Sequence, residues 1–212
     1  MTTQPFQIIE CEQGSPEWYT ARLGIPTASE FKTIIGVKKD AREKLTRRTY
    51  MRKLAGEVLT GKAMDTYSNP IMDRGTELED EARMEYSFAH DVEPQRVGFI
   101  RRGYAGCSPD SLIGAKGGLE IKCVLPHTQI ERLEAGVLPP EYRPQVQGSM
   151  LISGRDWWDF VSYCPGLPLF VCRVASDPLY IQMLSDGIDA FNAELADMVA
   201  FVRNYSGRKA AA

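Results

Sequence analysis

The stretch Gly118-Leu119-Glu120-Ile121-Lys122-Cys123 has the alternation of apolar and polar side chains that is typical of a β-strand. Successive side chains of a strand point to opposite faces, so the leucine, isoleucine and cysteine face a core while Glu120 and Lys122 share the other face. A pattern of this kind usually marks only the solvated surface of an antiparallel sheet. The residues around this strand favour a functional site instead.

A second short strand, 111–114, follows Ser108-Pro109-Asp110 and is joined to the first by the glycine-rich turn 114–118. The resulting hairpin would bring Asp110 next to Glu120, and two opposed carboxylates repel each other unless positive charge lies between them. Oxygen-only ligands of this kind suit Mg²⁺ or Mn²⁺. Lys122 could orient or help to deprotonate a bound water, a role open to an amine whose pKa is lowered by burial or by the neighbouring cation.

The residues before position 90 have the periodicity of α-helices, and those after it mix strand and helix patterns. The predicted helices are 16–22, 27–35, 40–59, 76–87, 127–135, 141–152 and 186–203, with a loop over 60–75. The predicted strands are 97–101, 111–114, 119–124, 157–163 and 169–174, the first three forming an antiparallel meander. This order indicates one α+β (α/β) domain over residues 1–212 with a helical N-terminal segment.

Composition excludes several classes of protein. The 212 residues are 43% hydrophobic and 25% charged, which is the balance of a folded chain. The apolar stretches fall short of the roughly 18 residues of a membrane span, and residues 1–12 lack the features of a signal peptide. The five cysteines contain no C-x-x-C pair, so neither a disulfide framework nor a zinc cage is expected, and a reducing cytoplasm fits best. No G-x-x-x-x-G-K-[ST] motif marks an ATP motor.

The charge distribution is uneven along the chain. Residues 32–53 contain nine basic and two acidic side chains, a net +7 within a chain of net −3, which leaves −10 elsewhere. A basic segment in an acidic protein is either a solvated face or the footprint of a bound polyanion such as nucleic acid. An acidic remainder would repel a phosphate backbone unless some of its carboxylates hold metal ions.

Pro109-Asp110 and Glu120-Ile121-Lys122 resemble the P-D…(D/E)-x-K pattern of the PD-(D/E)XK nuclease superfamily. Five blocks occur in the order seen in lambda-exonuclease-like (YqaJ-type) viral recombinases, also called alkaline exonucleases. These blocks are 18–29, 75–83, 107–110, 118–123 and 145–150. The resemblance implies a restriction-endonuclease-like core, with a central mixed β-sheet flanked by helices.

Residue by residue, the resemblance implies that Asp110, Glu120 and the main-chain carbonyl of Ile121 ligate metal. It implies two Mg²⁺ ions per active site, for which Mn²⁺ would substitute. Lys122 would be the catalytic lysine.

Two further residues match positions of the family site. Glu79 would reach the second metal, and Gln145 matches the family glutamine near the site. The alternative for Glu79 is an i,i+4 ion pair with Arg83, and the alternative for Gln145 is an amide on a helix surface.

Arg22 and Ser29 match the positions that bind the terminal 5′-phosphate of the substrate strand in such enzymes, and Ser108 would assist. A guanidinium fork beside a hydroxyl is suited to a phosphate. The alternatives are a salt bridge for Arg22 and a helix cap for Ser29. Trp18 is expected to be a packing anchor, and Met72 is a candidate wedge between base pairs.

The function implied by the resemblance is a metal-dependent 5′→3′ exodeoxyribonuclease. It would degrade one strand of linear double-stranded DNA to 5′-mononucleotides and leave a 3′ single-stranded tail for recombination by strand annealing. The implied setting is a phage- or prophage-encoded homotrimeric ring in a bacterial cytoplasm, with double-stranded DNA ends and a single-strand annealing protein as partners and no membrane partner. Two alternatives remain open: a structure- or site-specific DNA endonuclease with the same metal core, and a DNA-end-binding module without turnover.

Overall fold

The computed structural model of the protein describes residues 5–35, 41–64 and 70–205, of which 41–44 and 70–77 are described by their backbone alone. The helices are α1 (Pro16–Arg22), α2 (Phe31–Ile35), α3 (Ala41–Thr60), α4 (Pro70–His90), α5 (Pro126–Ala135), α6 (Arg143–Ser153) and α7 (Pro178–Arg203). The strands are β1 (Phe6–Ile9), β2 (Phe99–Arg102), β3 (Ala105–Cys107), β4 (Ser111–Ile113), β5 (Gly117–Cys123), β6 (Trp157–Tyr163) and β7 (Phe170–Ala175). The predicted α+β class is confirmed.

The strands form two sheets. The first is the antiparallel order β1-β2-β3, and the second is the order β4-β5-β6-β7, in which the parallel β5–β6 pair makes the sheet mixed. The predicted three-strand meander is therefore wrong, because β2 pairs with β1 and β3. Among the described residues, a bridge between Gln95 and Leu112 joins the segment before β2 to β4. The sequence predicts β2 as a strand. Its partners β1 and β3 are too short for a local sequence pattern to predict them.

The two faces of the second sheet are covered by different helices. On one face, Leu119 and Ile121 of β5 pack with Ala82 and Tyr86 of α4 in a small core. The other face contributes Trp158 and Phe160 to the larger core. This larger core contains side chains of α2, α3, α6 and α7. Glu120 and Lys122 lie on this second face because of the alternation along β5.

The two glycines at the start of β5 are required by the packing of this strand against β6. A Cβ at Gly117 would lie 2.2 Å from the ring of Trp157, and one at Gly118 would lie 2.3 Å from the ring of Trp158. Only glycine allows these two indoles to lie against the parallel strand, so β5 can pair with β6 along its length. The sheet in turn holds the acidic end of β5 in place.

Two helices begin earlier than predicted. Helix α4 begins at Pro70, so residues 70–75 are helical rather than part of a loop. Helix α7 begins at Pro178, eight residues before the predicted start, because the Asp177 side chain accepts hydrogen bonds from the N–H groups of Leu179 and Tyr180, each at 3.1 Å. Proline fits the first turn of a helix, where its missing N–H would have no intrahelical partner. In the described part of the chain, none of the helices combines the length and apolar character needed to cross a membrane.

Candidate active site

The β4–β5 hairpin brings its two carboxylates together at its open end. Ser111 pairs with Leu119 in antiparallel register, so Asp110, one residue before β4, lies opposite Glu120. Oδ2 of Asp110 accepts a hydrogen bond from the main-chain N–H of Ile121 at 2.5 Å. The N–H and carbonyl of one strand residue point to the same side, so the carbonyl of Ile121 also points toward the Asp110 side.

Glu120 is the buried acid of the site, with 2% of its surface exposed. Its Oε1 accepts hydrogen bonds from Nζ of Lys122 and from Nε2 of Gln145, each at 2.5 Å. Gln145 belongs to α6, which reaches over this face of the sheet. The structure thus brings Gln145 into contact with the carboxylate, so it is not an amide on an outer helix surface.

The electrostatics of the hairpin end are dominated by negative charge. Burial raises the pKa of Asp110 well above its ordinary value, and the charges of Glu120 and Glu79 raise it further. The nearby Lys122 and the hydrogen bond from Ile121 oppose this rise without cancelling it. A cation bound at Asp110 would relieve the repulsion.

The pKa of Lys122 differs from the expectation based on the sequence. Burial disfavours its charged form, but the charges of Glu120 and Asp110 and the hydrogen bond to Glu120 outweigh burial and raise the pKa of Lys122. The expected lowering of the Lys122 pKa by burial is therefore wrong, and its lowering by a neighbouring cation stays a prediction. The ammonium lies 5.7 Å from the centre of the Tyr142 ring, a neighbour that sequence reasoning missed. The protonated Lys122 is a hydrogen-bond donor to Glu120.

Glu79 lies near the two carboxylates but is paired with Arg83. Its carboxylate forms a short ion pair with Nη2 of Arg83, as the i,i+4 alternative predicted. The same Nη2 lies 3.3 Å from the main-chain oxygen of Asp110. Because the charge of Glu79 also raises the pKa of Asp110, the ion pair and the proximity to the site occur together.

The donor atoms at this site fit a hard divalent cation. Asp110, Glu120 and the carbonyl of Ile121 offer oxygen alone, which suits Mg²⁺ or Mn²⁺. Within the described ranges, no three acidic, histidine or cysteine side chains converge closely enough to hold an ion by themselves. That is consistent with Glu79 being held by Arg83, and it leaves the remaining ligand positions for the main chain and water.

A second, smaller site lies between α1, the 27–30 turn and α3. Its cavity of about 100 Å³ is lined by Arg22 and Ser29 together with Thr27, Tyr50 and Lys53. The hydroxyl of Ser29 lies 3.3 Å from that of Thr27. The structure therefore brings Arg22 and Ser29 to one cavity, and it adds further residues that sequence reasoning did not assign to it, among them the acids Glu30 and Glu57.

The wall of this cavity is held by a buried glutamate of α3. The carboxylate of Glu57 accepts hydrogen bonds from the N–H groups of Gly24 at 2.9 Å and Met64 at 3.1 Å. Tyr50, Lys53 and Glu57 are three and four residues apart and so share one helix face. That spacing was the signal in the sequence that could have assigned α3 to this cavity.

Ser108 is connected to the cavity through a tryptophan. Its Oγ accepts a hydrogen bond from Nε1 of Trp18 at 2.8 Å, and the guanidinium of Arg22 lies 3.8 Å above the same indole. Ser108 is not among the residues that line the cavity. Trp18 is a packing anchor between the two residues, as expected.

Parts of the basic segment 32–53, a candidate footprint of nucleic acid, can be located. Arg47 makes two hydrogen bonds to Glu194 of α7, at 2.7 and 2.8 Å, so its charge is already paired. Lys38 and Lys39 lie outside the described residues. The side chain of Met72, the candidate wedge, also lies outside them.

Comparisons with known proteins place the chain among nucleases. The YqaJ-like viral recombinase domain matches residues 17–156. An alkaline exonuclease, LHK-Exo from Laribacter hongkongensis, is 36% identical, with a TM-score of 0.82 over 91% of this chain and 98% of that one, and its structure in complex with dAMP matches equally well. A phage-related exonuclease from Haemophilus somnus 129PT, at 15% identity and a TM-score of 0.65 over 84% of this chain and 96% of that one, shares the fold. No curated protein matches the chain.

Proposed function

Because the chain belongs to the YqaJ-like viral recombinase family and is a nuclease that acts on DNA, we propose that it is a Mg²⁺-dependent 5′→3′ exodeoxyribonuclease. It degrades one strand of linear double-stranded DNA to 5′-mononucleotides and leaves a 3′ single-stranded tail. The related LHK-Exo is known in complex with dAMP, a deoxynucleoside monophosphate and thus a molecule of the proposed product class.

Asp110, Glu120 and the main-chain carbonyl of Ile121 are the proposed ligands of one Mg²⁺ ion, and Glu79 is the proposed ligand of a second. The raised pKa of Asp110, caused by burial and by the charges of Glu120 and Glu79, supports a cation at this position. Bound there, the ions supply Lewis-acid stabilisation of charge on the scissile phosphate, and Mn²⁺ has the ligand preferences to substitute.

Lys122 and Gln145 are the proposed catalytic partners of these acids. Both donate to the same oxygen of Glu120, which fixes that carboxylate from two sides. The protonated amine of Lys122 can orient an attacking water and stabilise negative charge on the phosphate. Gln145 keeps Glu120 oriented and is itself half-buried.

One observation favours an exonuclease over an endonuclease: Arg22, Lys53 and Ser29 line one small cavity separate from the carboxylate site. The guanidinium of Arg22, the ammonium of Lys53 and the hydroxyl of Ser29 can each donate to a terminal 5′-phosphate, which carries more charge than an internal phosphodiester. The acids Glu30 and Glu57 also line the cavity, and the carboxylate of Glu57 is bound by the N–H groups of Gly24 and Met64. Such a cavity gives a reason for cleavage to begin at an end. Ser108 contributes by holding Trp18, on which Arg22 rests.

The assembly and setting are proposed from the family resemblance. We propose a homotrimeric ring around the duplex, a single-strand annealing protein that receives the 3′ tail, and a phage or prophage origin with function in the bacterial cytoplasm. A nuclease that leaves such a tail produces single-stranded DNA, which an annealing protein would bind. The single domain over residues 1–212 also stays a prediction.

The test is a comparison of three substrates with Mg²⁺ present. We expect mononucleotides from a linear duplex with 5′-phosphate ends, slower release from the same duplex with 5′-hydroxyl ends, and an intact closed circle. The Asp110→Asn variant, purified in parallel, controls for contaminating nucleases. Cleavage of the circle would replace the proposal with the endonuclease alternative, and binding to ends without any cleavage would replace it with the end-binding module.

A further inference from the structure

Arg83 joins the helix that carries Glu79 to the strand end that carries Asp110. Only 8% of its surface is exposed. Its Nε donates to Oγ of Ser111 at 3.0 Å, its Nη1 donates to Oδ1 of Asp80 at 2.6 Å, and its Nη2 lies 3.3 Å from the main-chain oxygen of Asp110. The same Nη2 is paired with the carboxylate of Glu79.

A buried guanidinium of this kind fixes the distances between the groups to which it donates hydrogen bonds. Its planar fork holds several acceptors at fixed angles, which a lysine ammonium on a flexible stem does not do. Two of its acceptors, the hydroxyl of Ser111 and the main-chain oxygen of Asp110, belong to the start of β4, and the other two are acids of α4. The position of α4 relative to the hairpin therefore determines where both the carboxylate of Glu79 and the main chain of Asp110 lie.

We propose that Arg83 is a positioning residue that couples Glu79 to Asp110 and so sets the spacing of the two metal positions; this inference rests on the proposed function. Arg83 does not touch the substrate. It acts by holding the main chain of Asp110 and the carboxylate of Glu79 with one nitrogen. Loss of the fork removes the polar link between α4 and the start of β4 while the apolar packing of α4 against β5 remains. The second ion is then weakened more than the first, because the carboxylate of Glu79 is no longer held relative to Asp110.

The chain offers a matched control at the other end of the same hairpin. Nη1 of Arg155 donates to the main-chain oxygens of Ile113, Gly114 and Gly117, at 3.3, 2.7 and 2.7 Å. Arg155 therefore tethers the turn of the β4–β5 hairpin as Arg83 tethers its open end. A general loosening of the hairpin would appear in variants of both residues, whereas the proposed coupling concerns Arg83 alone.

The experiment measures Mn²⁺ binding by titration calorimetry in Arg83→Lys, Arg155→Lys and the wild type, without DNA. We expect Arg83→Lys to weaken the second Mn²⁺ by about 10–100-fold, the usual range for groups that orient metal ligands, and Arg155→Lys to leave both affinities unchanged. Cleavage by Arg83→Lys should require more Mn²⁺ and recover much of its rate when Mn²⁺ is in excess. Ser111→Ala, which removes one anchor and keeps the charge, should produce a smaller loss of the same kind.

Three outcomes overturn the proposal: wild-type Mn²⁺ affinities in Arg83→Lys, equal losses in Arg83→Lys and Arg155→Lys, or unchanged affinities in a folded Ser111→Ala protein if Arg83→Lys fails to fold. Failure of the proposed function looks different. There, the wild-type protein would bind two Mn²⁺ ions with the predicted dependence on Arg83 but release no mononucleotides from linear DNA.

Discussion

The carboxylate of Asp110 accepts the main-chain N–H of Ile121 across the open end of the β4–β5 hairpin, at 2.5 Å. Beyond the Ser111–Leu119 pair, the ladder is thus continued by a side chain in place of a main-chain carbonyl. This contact holds Asp110 beside Glu120 although their charges repel. It also keeps the main chain of β5 at Ile121 directed toward the carboxylates.

The buried position of Asp110 beside Glu120 and Glu79 should lower the stability of the fold. The pKa of Asp110 is raised in the folded protein, so its ionised form destabilises the fold at pH values above the ordinary aspartate pKa of about 3.9, and this cost disappears in acid. Asp110→Asn removes the charge and keeps an oxygen for Ile121. At this chain length each 1 kcal/mol of regained stability shifts Tm by about 2–4 °C, so we expect the Tm of Asp110→Asn in EDTA at pH 7.5 to lie measurably above that of the wild type.

Calorimetry from pH 7.5 down to pH 4 checks this sign. The difference between Asp110→Asn and the wild type should shrink as the pH falls, because protonation removes the same charge from the wild type. A lower Tm for the variant at pH 7.5 would contradict the assignment. Added Mg²⁺ should raise the Tm of the wild type by more than that of Asp110→Asn, which has lost one ligand and keeps the others.

Lys122→Ala tests the role of the amine. We expect its cleavage rate to fall by about 10²–10⁴-fold, the range for a positioned proton-transfer or donor group, while duplex binding in Ca²⁺ persists. Lys116 is the control, since its side chain is 75% exposed and paired with Asp156 near the hairpin turn. Lys116→Ala should cut DNA at the wild-type rate, and a Lys122→Ala protein that does the same would remove Lys122 from the catalytic set.

Arg22→Ala tests end recognition. Loss of the guanidinium should erase the preference for 5′-phosphate over 5′-hydroxyl ends and shorten the tracts degraded per binding event, with the metal affinities unchanged. Arg47→Ala is the control because Arg47 is already paired with Glu194. An undiminished preference for phosphorylated ends in Arg22→Ala would disprove the role of the cavity.

Lys53→Ala tests whether the cavity uses a second cation. If Lys53 contacts the terminal phosphate, its loss should reduce the slope of log affinity against log salt by about 0.9 for 5′-phosphorylated ends. The slope for 5′-hydroxyl ends should change less. Lys62, which lies exposed just beyond α3, provides the control. Equal changes for both kinds of end would assign Lys53 to the duplex backbone instead.

Elements with a strong local pattern were predictable, and elements defined by their partners were not. The core strand β6 was predicted with its bounds because a run of mostly apolar and aromatic residues, interrupted by Asp159 and Ser162, ends at turn residues on both sides. Strands β1 and β3 are four and three residues long and were missed. Their pairing with β2 broke the predicted meander, since register is set between strands rather than within one.

The sequence by itself determined the hairpin with its facing acids, because side-chain alternation and glycine turns act over a few neighbouring residues. It also determined the resemblance to a nuclease family, because the matching blocks keep their order along the chain. Only the tertiary structure decided that Arg83 grips both Glu79 and the main chain of Asp110, and that Lys53 shares a cavity with Arg22 and Ser29. The contact between Arg83 and Asp110 joins residues that are 27 positions apart in the sequence, and the shared cavity depends on how α1 and α3 pack. Packing brings such groups together through the burial of apolar surface elsewhere, which no local pattern around them records.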